Sequence, residues 1–265
     1  MPLSIVSLGY LAAERLVQPA QQLKIHSRFH HAMNLLATDG HLLTLLDASQ
    51  YPNLPDAVRV QLPPGWDWRE MADTLAGFDS AEIWQPEILL ALPGESPRHY
   101  AVLADALSGQ PVESELMLLP DGDRSKRQPQ IAADNSAEQL TLQVSQLIGF
   151  GRGLTPDGDD YLLGYLAALW RWQNAPNIAG HYRQMQQIVA AQLTATNDIS
   201  AHYLRRALHG HFSEPLCELM TLLTQPANTA QINVAAQNMM QCGASSGTDC
   251  LAGLLHGIRT LQTAL

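Results

Sequence analysis

The chain has 265 residues and is 46% hydrophobic, enough to bury one large core or two smaller ones without covalent staples. Asp and Glu outnumber Lys and Arg by 25 to 15, giving a net charge of -10, and no basic cluster is longer than the Arg-Ser-Lys-Arg run at 124–127, which argues against nucleic acid as a partner. The three cysteines, Cys217, Cys242 and Cys250, follow no CxxC spacing, and no apolar run reaches membrane-spanning length. With Glu14 and Arg15 inside the first apolar window and no basic region before it, the expectation is a cytoplasmic protein of bacterial type, with reduced thiols and no membrane contact.

In chain order, the first half favours strands. Residues 33–37 and 42–46 are apolar segments hinged on Asp39-Gly40, a dipeptide suited to tight hairpin turns. Residues 58–62 alternate as a half-buried strand, while 68–75 and 100–107 read as short helices set off by Pro and Gly. From 119 to 136 the apolar periodicity stops and an exposed connection is expected. Beyond it, residues 137–148, 159–172, 182–194, 200–209, 215–223, 229–240 and 248–261 all carry helical spacing. The expected class is α+β: a strand-rich mixed part, residues 1–125, packed on an all-helical part, residues 136–265, that carries the chemistry.

That chemistry is sought between Gly149 and Asp160, which reads Gly-Phe-Gly-Arg-Gly-Leu-Thr-Pro-Asp-Gly-Asp-Asp and runs straight into an apolar helix. Four glycines and three carboxylates at a helix start mark a place where backbone approaches a ligand. The spacing Gly153-x-x-x-x-Gly158 is that of a phosphate loop, but Asp159-Asp160 stands where Lys-Ser/Thr is required. Gly149-x-Gly151-x-Gly153 also misses the dinucleotide fingerprint by one residue. What remains is a set of helix amides with Arg152, which suits an anion, beside carboxylates, which repel one. Two ligands reconcile them. Either Mg²⁺, held by Asp159 with Asp160 or Asp249, bridges to a phosphate or carboxylate, or the carboxylates accept an amide or amine while Arg152 and the loop hold the acid end. A first-turn carboxylate is kept ionised by the helix dipole, which disfavours a general-acid role.

The segment from Gly158 is echoed from Gly247: Asp160, Leu162, Gly164 and Leu166 fall in register with Asp249, Leu251, Gly253 and Leu255. Each helix thus carries a carboxylate above a stripe of small residues, a pattern that lets two axes approach closely and bring two loops together. A plainer account stands beside this one. Asp157-x-x-Asp160 and Ser246-x-x-Asp249 both match an N-cap followed by a third-position carboxylate, and Thr155-Pro156 offers another cap. Asp159 and the glycines are left over by every capping scheme. Ser200 reads first as an N-cap in competition with Asn197, and Ser245 and Ser246 as caps or as hydroxyl donors to an anion. His30-His31 and His209-x-His211 lack a third ligand at metal spacing.

The run Gly-Arg-Gly-Leu-Thr-Pro-Asp-Gly-Asp-Asp from Gly151 to Asp160 resembles the signature of a bacterial family catalogued as a domain of unknown function, whose usual form has Ser where this chain has Asp157. Phe29-x-x-Ala32-x-Asn34-Leu35, Gly40-x-Leu42-Leu43-Thr44-Leu45, Ser200 with Leu204, and Gly243-x-Ser245-Ser246-Gly247-x-Asp249 extend the resemblance over most of the chain. One branch of that family is similar to a subunit of a three-component oxamate carbamoyltransferase, which moves a carbamoyl group between oxamate and phosphate with the help of partner proteins. The resemblance implies an enzyme subunit that handles a small carboxylate or carbamoyl compound. Asp159, Asp160 and Asp249 are then the expected catalytic or metal-binding groups, with Gly151, Arg152, Gly153, Thr155, Ser200, Ser245 and Ser246 around the substrate. Non-catalytic assembly or regulatory subunits and small-anion sensors are the competing readings.

Overall fold

The computed structural model describes residues 3–17, 23–66, 68, 75–76, 80–87, 90–92, 95–96, 98–108, 116, 129 and 131–265. The chain divides into two compact units, Met1–Glu87 and Ile88–Leu265. The basic run at 124–127, most of the connection expected at 119–136, and nearly all of the helix expected at 68–75 lie outside the described residues.

The first unit is a mixed sheet. Its strands are β1 (Leu3–Gly9), β2 (Lys24–Arg28), β3 (Ala32–Leu36), β4 (Leu42–Asp47), β5 (Ala57–Gln61), β6 (Leu75–Ala76) and β7 (Glu82–Trp84), with one helix, α1 (Tyr10–Leu16). The order is β2-β3-β4-β5-β1, and the short β6 and β7 both lie parallel to β1 on its remaining edge. The β3–β4 hairpin forms as expected, pairing Leu36 with Leu42. Its turn is longer than the two-residue kind: Ala37 N donates to His41 O at 2.9 Å and Gly40 N to Ala37 O at 3.0 Å, with Gly40 at φ +79° taking the left-handed position. One face buries Leu43, Leu45, Val58 and Val60 with Leu3 and Trp68. The other face carries a cross-strand polar row, in which Thr44 Oγ1 donates to Asn34 Oδ1 at 2.9 Å and Asn34 Nδ2 to Ser27 Oγ at 3.1 Å. The hydrogen bonds of Asn34 are therefore spent within the sheet.

Among its described residues the second unit is helical: α2 (Tyr100–Ser108), α3 (Ala137–Leu147), α4 (Asp157–Trp170), α5 (Ala179–Gln192), α6 (Asp198–Ala207), α7 (Glu214–Thr224), α8 (Thr229–Met240) and α9 (Ser246–Ala264). The α+β class expected from the sequence is the one found. Four helices, α4, α5, α6 and α9, begin two or three residues earlier than their apolar periodicity suggested, because first-turn residues are polar and periodicity registers only the buried face. Of the helices in this unit, none among the described residues is long and apolar enough to cross a membrane, and the same holds for α1.

The centre of this unit is the crossing of α4 and α9. Nearly every residue of α4 from Gly158 to Leu169 is buried, as are most of those of α9, which marks both as interior helices rather than surface ones. Their axes approach so closely that a Cβ on Gly164 would stand 1.9 Å from the carbonyl oxygen of Cys250, and one on Gly253 would stand 1.9 Å from that of Tyr161. Alongside, Tyr165 Oη contacts His181 Nε2 at 2.8 Å and donates to Thr260 Oγ1 at 3.2 Å, and Tyr161 Oη meets His256 Nδ1.

Burial holds both His181 and His256 down to about 4, so both are neutral in the folded protein. An unfolded chain binds protons at these histidines from pH 6.5 downward while the folded chain does not, so their contribution to stability is present above pH 6.5 and is lost as pH falls towards 4. Chemical denaturation across that window should show stability falling with a slope approaching about 1.4 kcal/mol per pH unit for each histidine. A flat profile for wild type would contradict the buried neutral pair. Gly253→Ala should cost about 3 kcal/mol in urea titration, since the methyl meets backbone that cannot yield.

Candidate functional site

The α4–α9 crossing brings the loop before α4, residues 148–156, against the loop before α9, residues 241–245. Thr155 Oγ1 lies 2.8 Å from Ser246 Oγ, a direct link between the two loops. The capping schemes suggested by the sequence are not used at either helix. Pro156 is the N-cap of α4 and Ser245 that of α9, and neither makes a side-chain cap hydrogen bond. Asp157 and Ser246 sit one residue inside, where their side chains cannot cap. Full capping boxes occur elsewhere, at Ser136 with Gln139 and at Asn228 with Gln231. Asn197, not Ser200, caps α6, accepting from Ile199 N at 3.1 Å and Ser200 N at 3.0 Å.

The adjacent carboxylates Asp159 and Asp160 have different surroundings. Asp159, 1% exposed, accepts three hydrogen bonds: Gly149 N to Oδ1 at 2.8 Å, Thr196 Oγ1 to Oδ2 at 2.5 Å and Ser200 Oγ to Oδ2 at 2.7 Å. It ties the glycine loop to the turn before α6. The loop can reach it only because Gly149 takes φ +73° and passes where a Cβ would be 2.6 Å from Ala195 O. Thr196 is a participant that the sequence did not single out. A lone Thr in a polar turn carries no signal of its own.

Asp160 is also buried, but one of its oxygens, Oδ2, has no hydrogen-bond partner. Burial pushes its carboxyl well above the usual range, the hydroxyls of Ser246 and Thr155 pull it back by hydrogen bonding, and the charges of Asp249 and Asp159 push it further up. Burial here works against the helix dipole, because the dipole contributes only about 0.3–1 kcal/mol and desolvation outweighs it. Asp249, 1% exposed, occupies the matching position in the first turn of α9. Cys250 beside it is buried, and its thiol is pushed well up by burial and by Asp160.

The remaining expected residues lie on the rim. Gly151, Arg152 and Gly153 are exposed and Leu154 is 49% exposed, whereas Thr155, Ser245 and Ser246 are half-buried. Arg152 has no hydrogen bond or ion pair to another described residue. Among the described residues no group of three or more His, Cys, Asp or Glu side chains is placed to hold a metal ion. The structure therefore gathers Thr155, Asp160, Ser246 and Asp249 at one point, sets Asp159 and Ser200 in a latch behind the loop, and leaves Arg152 at its tip.

A family model described as oxamate carbamoyltransferase subunit AllH matches residues 147–258, and the AllH family N-terminal domain matches residues 5–91. The first match contains both loops and the latch. No solved structure matches the chain.

The two neighbouring aspartates should respond oppositely to substitution. Asp159→Ala strands three donors and should lower stability by about 3 kcal/mol. Asp160→Asn removes a carboxyl whose ionisation is opposed by burial and by two neighbouring carboxylates, and should raise stability at pH 7 by about 1 kcal/mol. Paired denaturation curves test this, and destabilisation of equal size at both positions would show that Asp160, too, is part of the fold's support.

Proposed function

The chain belongs to the AllH family of oxamate carbamoyltransferase subunits, and on that premise we propose that the junction of its two loops receives the amide or carbamoyl group of a small anionic compound. The observation that carries the proposal is Asp160: a buried carboxylate with an oxygen that the fold leaves unpartnered, beside hydroxyls drawn from both loops. Such a group burdens the fold, and the N–H donors of an amide or carbamoyl group complement it.

In this reading Asp160 accepts an N–H of the ligand, with Asp249 facing it from the other helix. When the amide nitrogen of oxamate bonds to the carbamoyl carbon of carbamoyl phosphate, the bond from that carbon to the phosphate oxygen breaks, phosphate leaves with the electron pair, and the nitrogen loses a proton. Asp160, raised by burial, takes that proton, and returns it when the bond is broken in the reverse direction. Thr155 and Ser246 fix the position of the carboxyl, and Arg152 with the loop around Gly151 and Gly153 meets the acid end of the compound. Asp159 and Ser200 serve by holding the loop. The oxygen donors of Asp160, Asp249, Thr155 and Ser246 also suit Mg²⁺ by type. Bound there, the ion would supply charge neutralisation for the two carboxylates and polarise a carbamoyl oxygen. The family description supports partner subunits completing the enzyme. The free thiols Cys217, Cys242 and Cys250 support a cytoplasmic setting.

Isothermal titration of the wild-type chain and of Asp160→Asn with oxamate, inorganic phosphate and Mg²⁺ tests this assignment. Oxamate affinity should fall at least about tenfold in the variant, equivalent to about 1.4 kcal/mol. Turnover of the reconstituted multi-subunit enzyme should fall by about 10²-fold. Unchanged binding and turnover in a correctly assembled complex would reduce the chain to an assembly subunit.

A further inference from the structure

The pairing of α4 with α9 is part of a larger repetition. α3 with α4 and α8 with α9 are two helical hairpins that share a series of contacts. Both open on a capping box with Gln in the third position, Ser136 with Gln139 and Asn228 with Gln231. Counting on from those caps, Leu140 and Val144 are fully buried, as are Ile232 and Ala236, while Leu142 and Val234 are 56% and 55% exposed at matching positions. Phe150 N donates to Leu147 O at 2.8 Å, as Cys242 N does to Met239 O at 3.0 Å. Gly158 N donates to Phe150 O at 2.9 Å, as Gly247 N does to Cys242 O at 2.9 Å. A Cβ on Gly158 would lie 1.9 Å from Leu147 O, and one on Gly247 1.8 Å from Met239 O. The reciprocal contacts of Gly164 with Cys250 and of Gly253 with Tyr161 then relate the hairpins by a local two-fold.

The two hairpins differ in the length of the connecting loop. Between Phe150 and Gly158 the first loop holds seven residues, 151–157, whereas between Cys242 and Gly247 the second holds four, 243–246. Gly151 and Gly243 still correspond, both with positive φ, at +108° and +70°. The three surplus residues therefore fall just after Gly151, where the sequence is Arg152-Gly153-Leu154. All three are exposed, a Cβ on Gly153 would meet nothing within 4 Å, and Arg152 pairs with no described residue. The shorter loop closes the same hairpin with the same hydrogen bonds, so the fold does not require them.

We infer that Arg152-Gly153-Leu154 is a functional insertion into one of two equivalent hairpins, and that it supplies the positive charge that makes a two-fold pair of aspartates bind an anion end-on. The local two-fold gives Asp160 and Asp249 the same sign and the same place, so the pair alone cannot tell one end of a ligand from the other. A carboxylate or phosphate carrying an amide is polar end to end. A cation on one loop only, above two acids shared by both, matches that polarity. The inference rests on the reading of Asp160 and Arg152 proposed above and adds that the cation is carried by an insertion present in only one of two related hairpins.

Removing residues 152–154, which leaves Gly151 followed by Thr155 and gives the loop the length of its twin, is the test. The shortened chain should melt cooperatively within about 3 °C of wild type, a shift that corresponds to about 1 kcal/mol for a domain of this size. It should bind oxamate and inorganic phosphate at least tenfold more weakly by titration calorimetry. Arg152→Ala in the full-length loop should show the same loss and Arg152→Lys a partial one. Should the deletion unfold the protein while Arg152→Ala binds both anions normally, the insertion is structural and the inference fails. It fails equally when the deletion folds and keeps its anion affinity, including the case in which only assembly with the other subunits is lost, which would make the insertion a docking prong. Loss of oxamate binding in Asp160→Asn with full retention in Arg152→Ala would overturn the anion subsite alone and leave the amide reading standing.

Discussion

The close approach of α4 to α9 governs the rest of the second unit. Two glycines placed reciprocally, Gly164 under Cys250 and Gly253 under Tyr161, let the helix backbones touch where side chains would otherwise hold them apart. That approach sets the heights at which the helices begin, and so brings Thr155 within hydrogen-bonding distance of Ser246. A methyl group at either glycine would lie one helical turn below Asp160 or Asp249, and it would separate the loops. The site is thus positioned from below, by packing that contains no chemistry.

On that base, two consecutive carboxylates divide the work. A helix places neighbouring residues about 100° apart, so Asp159 and Asp160 face different surroundings although both are buried. Asp159 meets three donors and becomes a fixed point for the glycine loop. Asp160 meets two hydroxyls and two negative charges, and is left with unmet hydrogen-bonding capacity. A protein interior seldom keeps such a group without a use for it, since its burial is unfavourable and a neutral side chain would serve packing as well.

Much of this was legible in the chain, for reasons that differ by element. The β3–β4 hairpin and the C-terminal helices announced themselves through periodicity and the Asp39-Gly40 turn, because burial of one face leaves a regular trace. The echo between Gly158 and Gly247 was visible because close helix packing demands glycine at fixed intervals. β1 was not anticipated, although Leu3, Ile5 and Leu8 face its core, since its short irregular alternation is broken at the register shift between Ile5 and Ser7. The capping patterns misled, because an acidic first turn looks the same whether its carboxylates bind helix amides or face a partner helix. Only the crossing of α4 and α9, a contact between segments distant in sequence, separates the two cases. The latch was half visible: Asp159 stood out as unexplained, while Thr196 became relevant only through a turn that folds back against Gly149.

The Thr155–Ser246 contact also joins residues 91 positions apart in the chain. A contact of that sequence separation forms only after the intervening helices have collapsed enough to offset the entropy of closing so long a loop. The first hairpin, whose own contacts are local, can form early with its glycine loop in place while Asp160 still faces water. Desolvation of that carboxylate comes with the docking of the second hairpin, so the step that brings the two loops together also switches on its electrostatic cost.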